Sequence, residues 1–375
     1  MVKKFVLIAG DPNSFLNFRG ELIKALIANG FEIHLIAPSL TQINTINTKL
    51  KDLGANLHHV PMSKAGTSLF NDIQTLYCLF VVLRKIKPGY VLSYTIKPVI
   101  YGLLAARLAG VKKRIALISG LGYAFISASN LLNNLVVFLY TLALKKSHVV
   151  FFQNPDDQAL FLNLGITKNI NTVFVNGSGV DTNHFALTPL PTGSLKFLMI
   201  ARLLGDKGVR EYVAAAKIVK KQYPEVMFNL AGWLDDNPNA IKQLELDEWI
   251  ANGAVNYLGK LEDVRPALMN CNVFVLPSYR EGTPRTVLEA MAIGRAIITT
   301  NAPGCKEAVI NGLNGYLVEV KSSNSLADAM MHFVTNPNLC EMMAKESHKI
   351  AIEKYDVHKI NYQMLNTMGI TKNVN

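Results

Sequence analysis

The 375 residues exceed the ~250–300 at which a single hydrophobic core stops growing, so two domains are expected. Half the residues are hydrophobic and 17% are charged, which argues against a disordered chain; Cys78, Cys271, Cys305 and Cys340 lie far apart with no CxxC or Cys/His cluster, which argues against a disulfide scaffold or a zinc module. The net charge of +11 is concentrated early, residues 1–190 carrying 18 Lys and Arg against 8 Asp and Glu, and this points to a polyanion or an anionic membrane surface.

Lys3 and Lys4 precede an apolar run that Asp11 ends short of the ~7–15 residues a signal sequence needs, so 4–9 reads as a first β-strand. Further β-rich runs follow at 32–38, 57–60, 90–93, 114–119, 149–153 and 172–175. Helical spacing lies between them at 14–29, 67–86 and 98–109, with Gly30 and Gly110 just past the ends. This alternation predicts a parallel sheet covered by helices. The Pro- and Gly-bearing stretch 186–194 reads as a linker, after which the rhythm restarts with strands at 195–200, 227–231, 255–258, 273–277, 296–299 and 316–318. The expected organisation is a first domain at 1–185, a second at 195–355, and a C-terminal helix within 356–375 that returns to the first domain. The fold class is α/β: two doubly wound parallel-sheet domains facing a cleft, with ligands bound at the C-terminal strand ends.

Chemistry concentrates in 278–290, Ser-Tyr-Arg-Glu-Gly-Thr-Pro-Arg-Thr-Val-Leu-Glu-Ala. The strand 273–277 delivers the chain to a loop, Thr283 reads as an N-cap and Pro284 as the first helical residue, where its missing N–H costs nothing. Glu281 then precedes a helix that contains Glu289. The helix start, with Gly282, Thr283 and Pro284, offers free N–H groups and a positive dipole end to a diphosphate. Two carboxylates beside it can grip hydroxyls, one on a transferred sugar and one on a ribose. After the strand 195–200, Arg202 and Lys207 leave on a Gly-containing loop, able to reach the same diphosphate. Each alone reads as a surface charge; together with the glutamates they read as a site.

With these motifs the chain resembles glycosyltransferase family 4, of GT-B architecture. The resemblance rests on Glu281-Gly-Thr-Pro-Arg-Thr-Val-Leu-Glu289, the Arg202/Lys207 loop, the phrase 176–185 and the phrase 304–315. It implies that Glu281 contacts the donor sugar, Glu289 the ribose, and Arg202 and Lys207 the diphosphate, while the backbone around Tyr257, Gly259 and Lys260 brackets the base. The phrases 94–102 and 118–122 resemble those of the bacterial enzymes that extend undecaprenyl-diphosphate-linked sugars for O-antigen, capsule or N-glycan assembly, N-acetylgalactosaminyltransferases among them. Where many members carry a histidine beside the donor sugar, Ser119 and Gly120 stand here, so no histidine role is transferred. His34, His58, His59 and His148 read as structural or exposed.

Gly10, in a loop that opens a helix, is expected to face the cleft, although the spaced dinucleotide glycines are absent. Asn13, Arg19, Lys97 and Gly120 are candidate acceptor contacts, and Asp11 reads as a helix cap before a catalytic base. The apolar segment 131–144, followed by Lys145 and Lys146, is too short for the ~20 residues of a spanning helix. It reads either as a buried helix or as one leaning on anionic lipid, with Lys85, Lys87, Lys112, Lys113 and Arg114 in the same domain. The aspartates at 156/157 and 235/236 form no Asp-x-Asp after a strand, so neither a metal nor any other cofactor is expected.

The expected activity is retaining transfer of a hexose or N-acetylhexosamine from a UDP-sugar, UDP-GalNAc or UDP-GlcNAc foremost, to a saccharide on polyprenyl diphosphate. It is placed at the cytoplasmic face of the cell membrane, with no nucleic-acid partner. Three rivals stay open: a nucleotide-sugar epimerase of the same fold, a glycosyltransferase using a small soluble acceptor, and a non-catalytic sugar-nucleotide-binding protein.

Overall fold

The computed structural model describes residues 2–40, 44–63, 68–121, 130–235 and 237–370. It divides into two compact units: Met1–Ser178 joined by His358–Asn375, and Gly179–Val357.

The first unit is built on seven parallel strands, β1 (Lys3–Ile8), β2 (Phe31–Ala37), β3 (Asn56–His59), β4 (Tyr90–Tyr94), β5 (Lys113–Ile118), β6 (Val149–Phe152) and β7 (Thr172–Phe174), in the order β3-β2-β1-β4-β5-β6-β7. Alternate residues of β1 feed two cores. Val6 and Ile8 pack on one face with Leu79, Leu83, Leu103 and Tyr140, and Phe5 and Leu7 pack on the other with Phe15, Leu22 and Leu26. A sheet covered on both faces needs continuous apolar strands, and that is why the runs were visible in the sequence.

The second unit has six parallel strands, β8 (Lys196–Ile200), β9 (Met227–Ala231), β10 (Asn256–Tyr257), β11 (Val273–Leu276), β12 (Ala296–Thr300) and β13 (Gly315–Val318), in the order β10-β9-β8-β11-β12-β13. In each sheet the order reverses once, at β1/β4 and at β8/β11.

The chain crosses between units at Ser178/Gly179, not at 186–194. The Pro-rich stretch is instead pinned inside the second unit. The Thr188 N–H donates to Ile293 O (3.1 Å), and the fully buried Arg295 donates to Thr188 O (3.0 Å), Thr188 Oγ1 (2.8 Å) and Pro189 O (3.1 Å). Composition alone cannot distinguish such a tied segment from a free linker. The outgoing and returning chains run side by side: Val180 N–H donates to Tyr355 O (2.8 Å), and Val357 N–H to Val180 O (3.0 Å). Beyond that crossing, helix Val357–Thr367 adds Ile360, Met364 and Leu365 to the core around Phe5 of the first unit.

The apolar segment 131–144 is observed within helix Asn130–Leu144, with side chains described from Asn133 onward. Val136, Tyr140, Ala143 and Leu144 are buried, while Leu135, Phe138 and Leu142 are exposed. The helix is thus buried along one side and exposed along the other. Among the described residues, no helix is long and apolar enough to cross a membrane.

Candidate active site

In parallel α/β sheets, ligands bind beyond the strand ends where the strand order reverses. In the second sheet that point lies between β8 and β11, and the chain leaving each strand there carries the residues singled out above. After β8 it passes Arg202 and forms the 3-10 turn Gly205–Lys207, closed by Gly208 at φ +72°. A Cβ on Gly208 would stand 2.2 Å from Pro277 O, so only glycine lets this turn lie against the end of β11. After β11, Tyr279 N–H donates to Asp206 O (2.9 Å), tying the two loops together, and Glu281 N–H donates to Pro303 O (3.0 Å). On the far side, a Cβ on Gly304 would stand 1.9 Å from Glu281 O. The Glu281 loop is thus held by close backbone contacts on both sides.

This clamp brings together residues 74 apart in sequence: Lys207 Nζ donates to Glu281 Oε1 at 2.5 Å, both side chains mostly buried. Arg202 is more open, and its Nη1 lies 3.3 Å from Asp235 Oδ2. Asp235, in the loop after β9, therefore pairs with Arg202 of the loop after β8; Asp236 lies outside the described residues. The other aspartate pair begins helix Pro155–Asn163, where buried Asp157 receives Asn154 Nδ2 at 3.0 Å and its N–H donates to Asn154 Oδ1 at 2.7 Å.

Helix Arg285–Ile293 starts one residue later than expected. Pro284 is the N-cap in an extended conformation, and Thr283 precedes it, donating its hydroxyl to Gly282 O at 3.0 Å. Thr283 is therefore not the cap. The first helical N–H groups still lack intrahelical acceptors, as at any helix start. Glu289 is buried one turn in and accepts from Arg285 Nε at 2.7 Å. Burial raises its pKa above the ordinary glutamate value, an effect the Arg285 charge opposes. Arg285 escaped the sequence reading, although its i, i+4 spacing to Glu289 was a usable signal.

Tyr257 Oη donates to Gly232 O (2.9 Å), and Gly232 N–H donates to Gly259 O (2.9 Å), joining the loops that follow β9 and β10. Lys260 Nζ lies 5.6 Å from the centre of the exposed Trp233 ring, a cation–π contact the sequence reading missed.

In the first unit, the candidates also gather at the reversal point. Gly10, Lys97 and Gly120 follow the adjacent strands β1, β4 and β5. A Cβ on Gly10 would meet Thr95 Oγ1 at 3.3 Å, so the two phrases touch. Asp11 accepts from the N–H of Asn13, serving the start of helix Asn13–Ala28. Arg19 is buried, 5.2 Å from the Tyr94 ring centre, and Tyr94 Oη contacts Ser14 Oγ at 2.9 Å. Lys97 donates to Asp72 Oδ1 (2.8 Å) and Ser63 Oγ (2.9 Å). Gly122 lies outside the described residues. His34 and His58 face each other at 2.9 Å in the sheet, and burial lowers both their pKa values, as expected of structural histidines.

Residues 6–154 match the family model described as "Glycosyl transferase 4-like" and residues 180–350 the one described as "Glycosyl transferases group 1". The chain is 31% identical to the N,N'-diacetylbacillosaminyl-diphospho-undecaprenol alpha-1,3-N-acetylgalactosaminyltransferase of Campylobacter jejuni, covering 96% of this chain and 97% of that protein. To the UDP-Gal:alpha-D-GlcNAc-diphosphoundecaprenol alpha-1,3-galactosyltransferase of Escherichia coli it is 27% identical, covering 88% and 86%. The crystal structure of Anabaena HepE in complex with UDP and glucose superimposes with a TM-score of 0.78 at 18% identity, covering 98% of this chain and all of that one.

Two doubly wound units of this kind define a GT-B glycosyltransferase fold. The chain belongs to glycosyltransferase family 4, and it is a glycosyltransferase.

Proposed function

We propose that this enzyme transfers a sugar, N-acetylgalactosamine or N-acetylglucosamine foremost, from UDP to a saccharide carried on undecaprenyl diphosphate, in the assembly of a bacterial surface glycan. The observation that carries the reading is the Lys207–Glu281 contact, set beside the start of helix Arg285–Ile293 where the second sheet reverses. Supporting it, relatives from Campylobacter jejuni and Escherichia coli are named for transfer to diphospho-undecaprenol acceptors, the first of them moving N-acetylgalactosamine.

In this reading the donor occupies the second unit. As the anomeric bond breaks, negative charge grows on the β-phosphate, and Lys207, Arg202 and the helix N–H groups stabilise it. Those cations do the neutralising work, so the reaction needs no metal and no cofactor. Glu281 holds the donor sugar, Glu289 the ribose, and the backbone of Tyr257, Gly259 and Lys260 the base. The acceptor belongs to the first unit, around Gly10, Asn13 and Gly120. Attack from the face the phosphate leaves, with the leaving phosphate oxygen taking the acceptor's proton, retains the anomeric configuration. The basic first half keeps the enzyme at the cytoplasmic membrane face without spanning it.

The test is a panel of UDP-sugars offered with lipid-diphosphate sugars, following UDP release and the configuration of the product. UDP should appear only with acceptor, the product should keep the donor's α configuration, and a chelator should change neither. Interconversion of the UDP-sugar without acceptor would establish the epimerase instead. An inverted product would remove the proposed mechanism.

A further inference from the structure

The longest described helix, Leu69–Ile86, is apolar on two opposite sides. At about 100° per residue, Thr75, Leu79, Leu83 and Ile86 form one line, and this line is buried against the first sheet's core. Phe70, Ile73, Tyr77 and Val81 form the opposite line, and they are 78%, 58%, 66% and 45% exposed. A helix covering a sheet ordinarily turns polar residues to water on that side. Here Arg84 continues the same line, Lys85 is exposed next to it, and exposed Lys87 follows at the C-cap. The helix's one acidic side chain, Asp72, is held by Lys97. Its exposed charges are therefore all positive.

Helix Asn130–Leu144 packs against the same 98–108 segment and repeats the design in shorter form. Leu135, Phe138 and Leu142 face solvent, and exposed Lys145 and Lys146 follow.

We propose that the stripe of Phe70, Ile73, Tyr77 and Val81 inserts into the interfacial region of an anionic bilayer, with Arg84, Lys85 and Lys87 binding lipid phosphates at its end. The inference rests on the membrane-face location proposed above, and makes helix Leu69–Ile86 the principal contact, with Asn130–Leu144 secondary. Two features favour a lipid surface as the occupant. The exposed charges complement anionic headgroups, and an apolar strip one side chain wide with aromatic members suits a helix lying in the interface plane.

The test uses the full chain and vesicles of phosphatidylcholine with and without phosphatidylglycerol. One variant combines Phe70→Ser and Tyr77→Ser; another combines Arg84→Gln, Lys85→Gln and Lys87→Gln. Wild type should co-sediment only with the anionic vesicles, and each variant should lose about tenfold or more of that partition. All three should keep equal turnover on a water-soluble acceptor, which also reports that the variants fold. If wild type binds and both variants bind equally well, this helix is not the contact, and the membrane-face reading survives through another one. If wild type binds no vesicle, both readings fall. If wild type is a dimer that the Phe70/Tyr77 variant dissociates while vesicle binding is unchanged, the stripe is a self-association face and the proposal is overturned.

Discussion

The two units offer cations at equivalent places, the loops beyond the reversal point of a parallel sheet, but they use them differently. In the second unit Lys207 is paired with Glu281 and Arg202 with Asp235, in loops whose backbones are fixed by Gly208 and Gly304. Arg202 keeps 48% of its side chain exposed, whereas Lys207, at 18%, is shielded about as much as Lys97 at 16% and differs from it in the loop that holds it. In the first unit Arg19 is buried on Tyr94, and Lys97 is drawn into a contact with Asp72 and Ser63 that ties the turn after β4 to helix Leu69–Ile86. Their charge is spent on holding the unit together.

The comparison breaks most visibly through Lys207. Lys207→Ala or Arg202→Ala should lower turnover by about two orders of magnitude or more, each removing roughly 3–4 kcal/mol of stabilisation from the departing phosphate. Thermal unfolding should change little in Arg202→Ala, whose side chain is half exposed, while Lys207→Ala, which removes one contact of the shielded Glu281, should also lower the melting temperature. Near-normal turnover in both variants would falsify the placement of the diphosphate.

A double-mutant cycle sharpens the same point. Because Lys207 and Glu281 touch, Lys207→Ala already removes part of what Glu281 contributes, and the double variant should be less impaired than the product of the singles, by about 1–3 kcal/mol of coupling. Strict additivity in steady-state turnover would show that the two act on separate steps.

In the first unit the expected loss moves from activity to stability. Lys97→Met should cost roughly 1–3 kcal/mol in urea unfolding, since it strands the shielded Asp72, while turnover of the folded protein falls by less than about tenfold. A hundredfold loss of turnover with an unchanged unfolding midpoint would return Lys97 to the acceptor site.

Much of this architecture is legible in the sequence, for identifiable reasons. The thirteen strands among the described residues lie where short β-rich runs predict them; the central ones are apolar throughout because parallel strands covered on both faces have no polar side to interrupt the pattern, while the edge strands β3, β7 and β10 are partly exposed. The reversal-point loops are legible for the same reason, since each begins where an apolar run ends. Pairings between loops are not legible: nothing local links Lys207 to Glu281, Arg202 to Asp235 or Lys97 to Asp72. The stretch 186–194 reads as a linker because its prolines and glycine are turn-formers in either setting, and the buried Arg295 that ties it down lies a hundred residues further on. The helix start is displaced by one residue because Pro284 adopts an extended rather than a helical backbone.

The smallest effect on turnover, and the finest distinction, is expected at Glu289. Unlike Glu281, it is buried in a helix with Arg285 as its partner, and burial raises its pKa. The sign of the linkage follows from that direction. At low pH the carboxyl is neutral whether the chain is folded or not, and its ionisation costs nothing. As pH rises past the ordinary glutamate value, near 4.3, the unfolded chain releases its proton first. Stability then falls with pH until the folded carboxyl ionises as well, and stays at the lower level above that. Glu289→Gln removes the loss, so the variant should gain stability relative to wild type as pH rises from about 4, and hold the gain at neutrality. Its function should move the other way. UDP affinity should drop by about tenfold, the loss of a charge-assisted bond to the ribose, whereas Glu281→Ala should impair use of the sugar donor more than it weakens UDP. Urea unfolding at several pH values and calorimetry with UDP measure the two sides separately. A Glu289→Gln protein that is less stable than wild type at every pH, or that binds UDP as tightly, would mean that Glu289 is a structural partner of Arg285 and no part of the donor site.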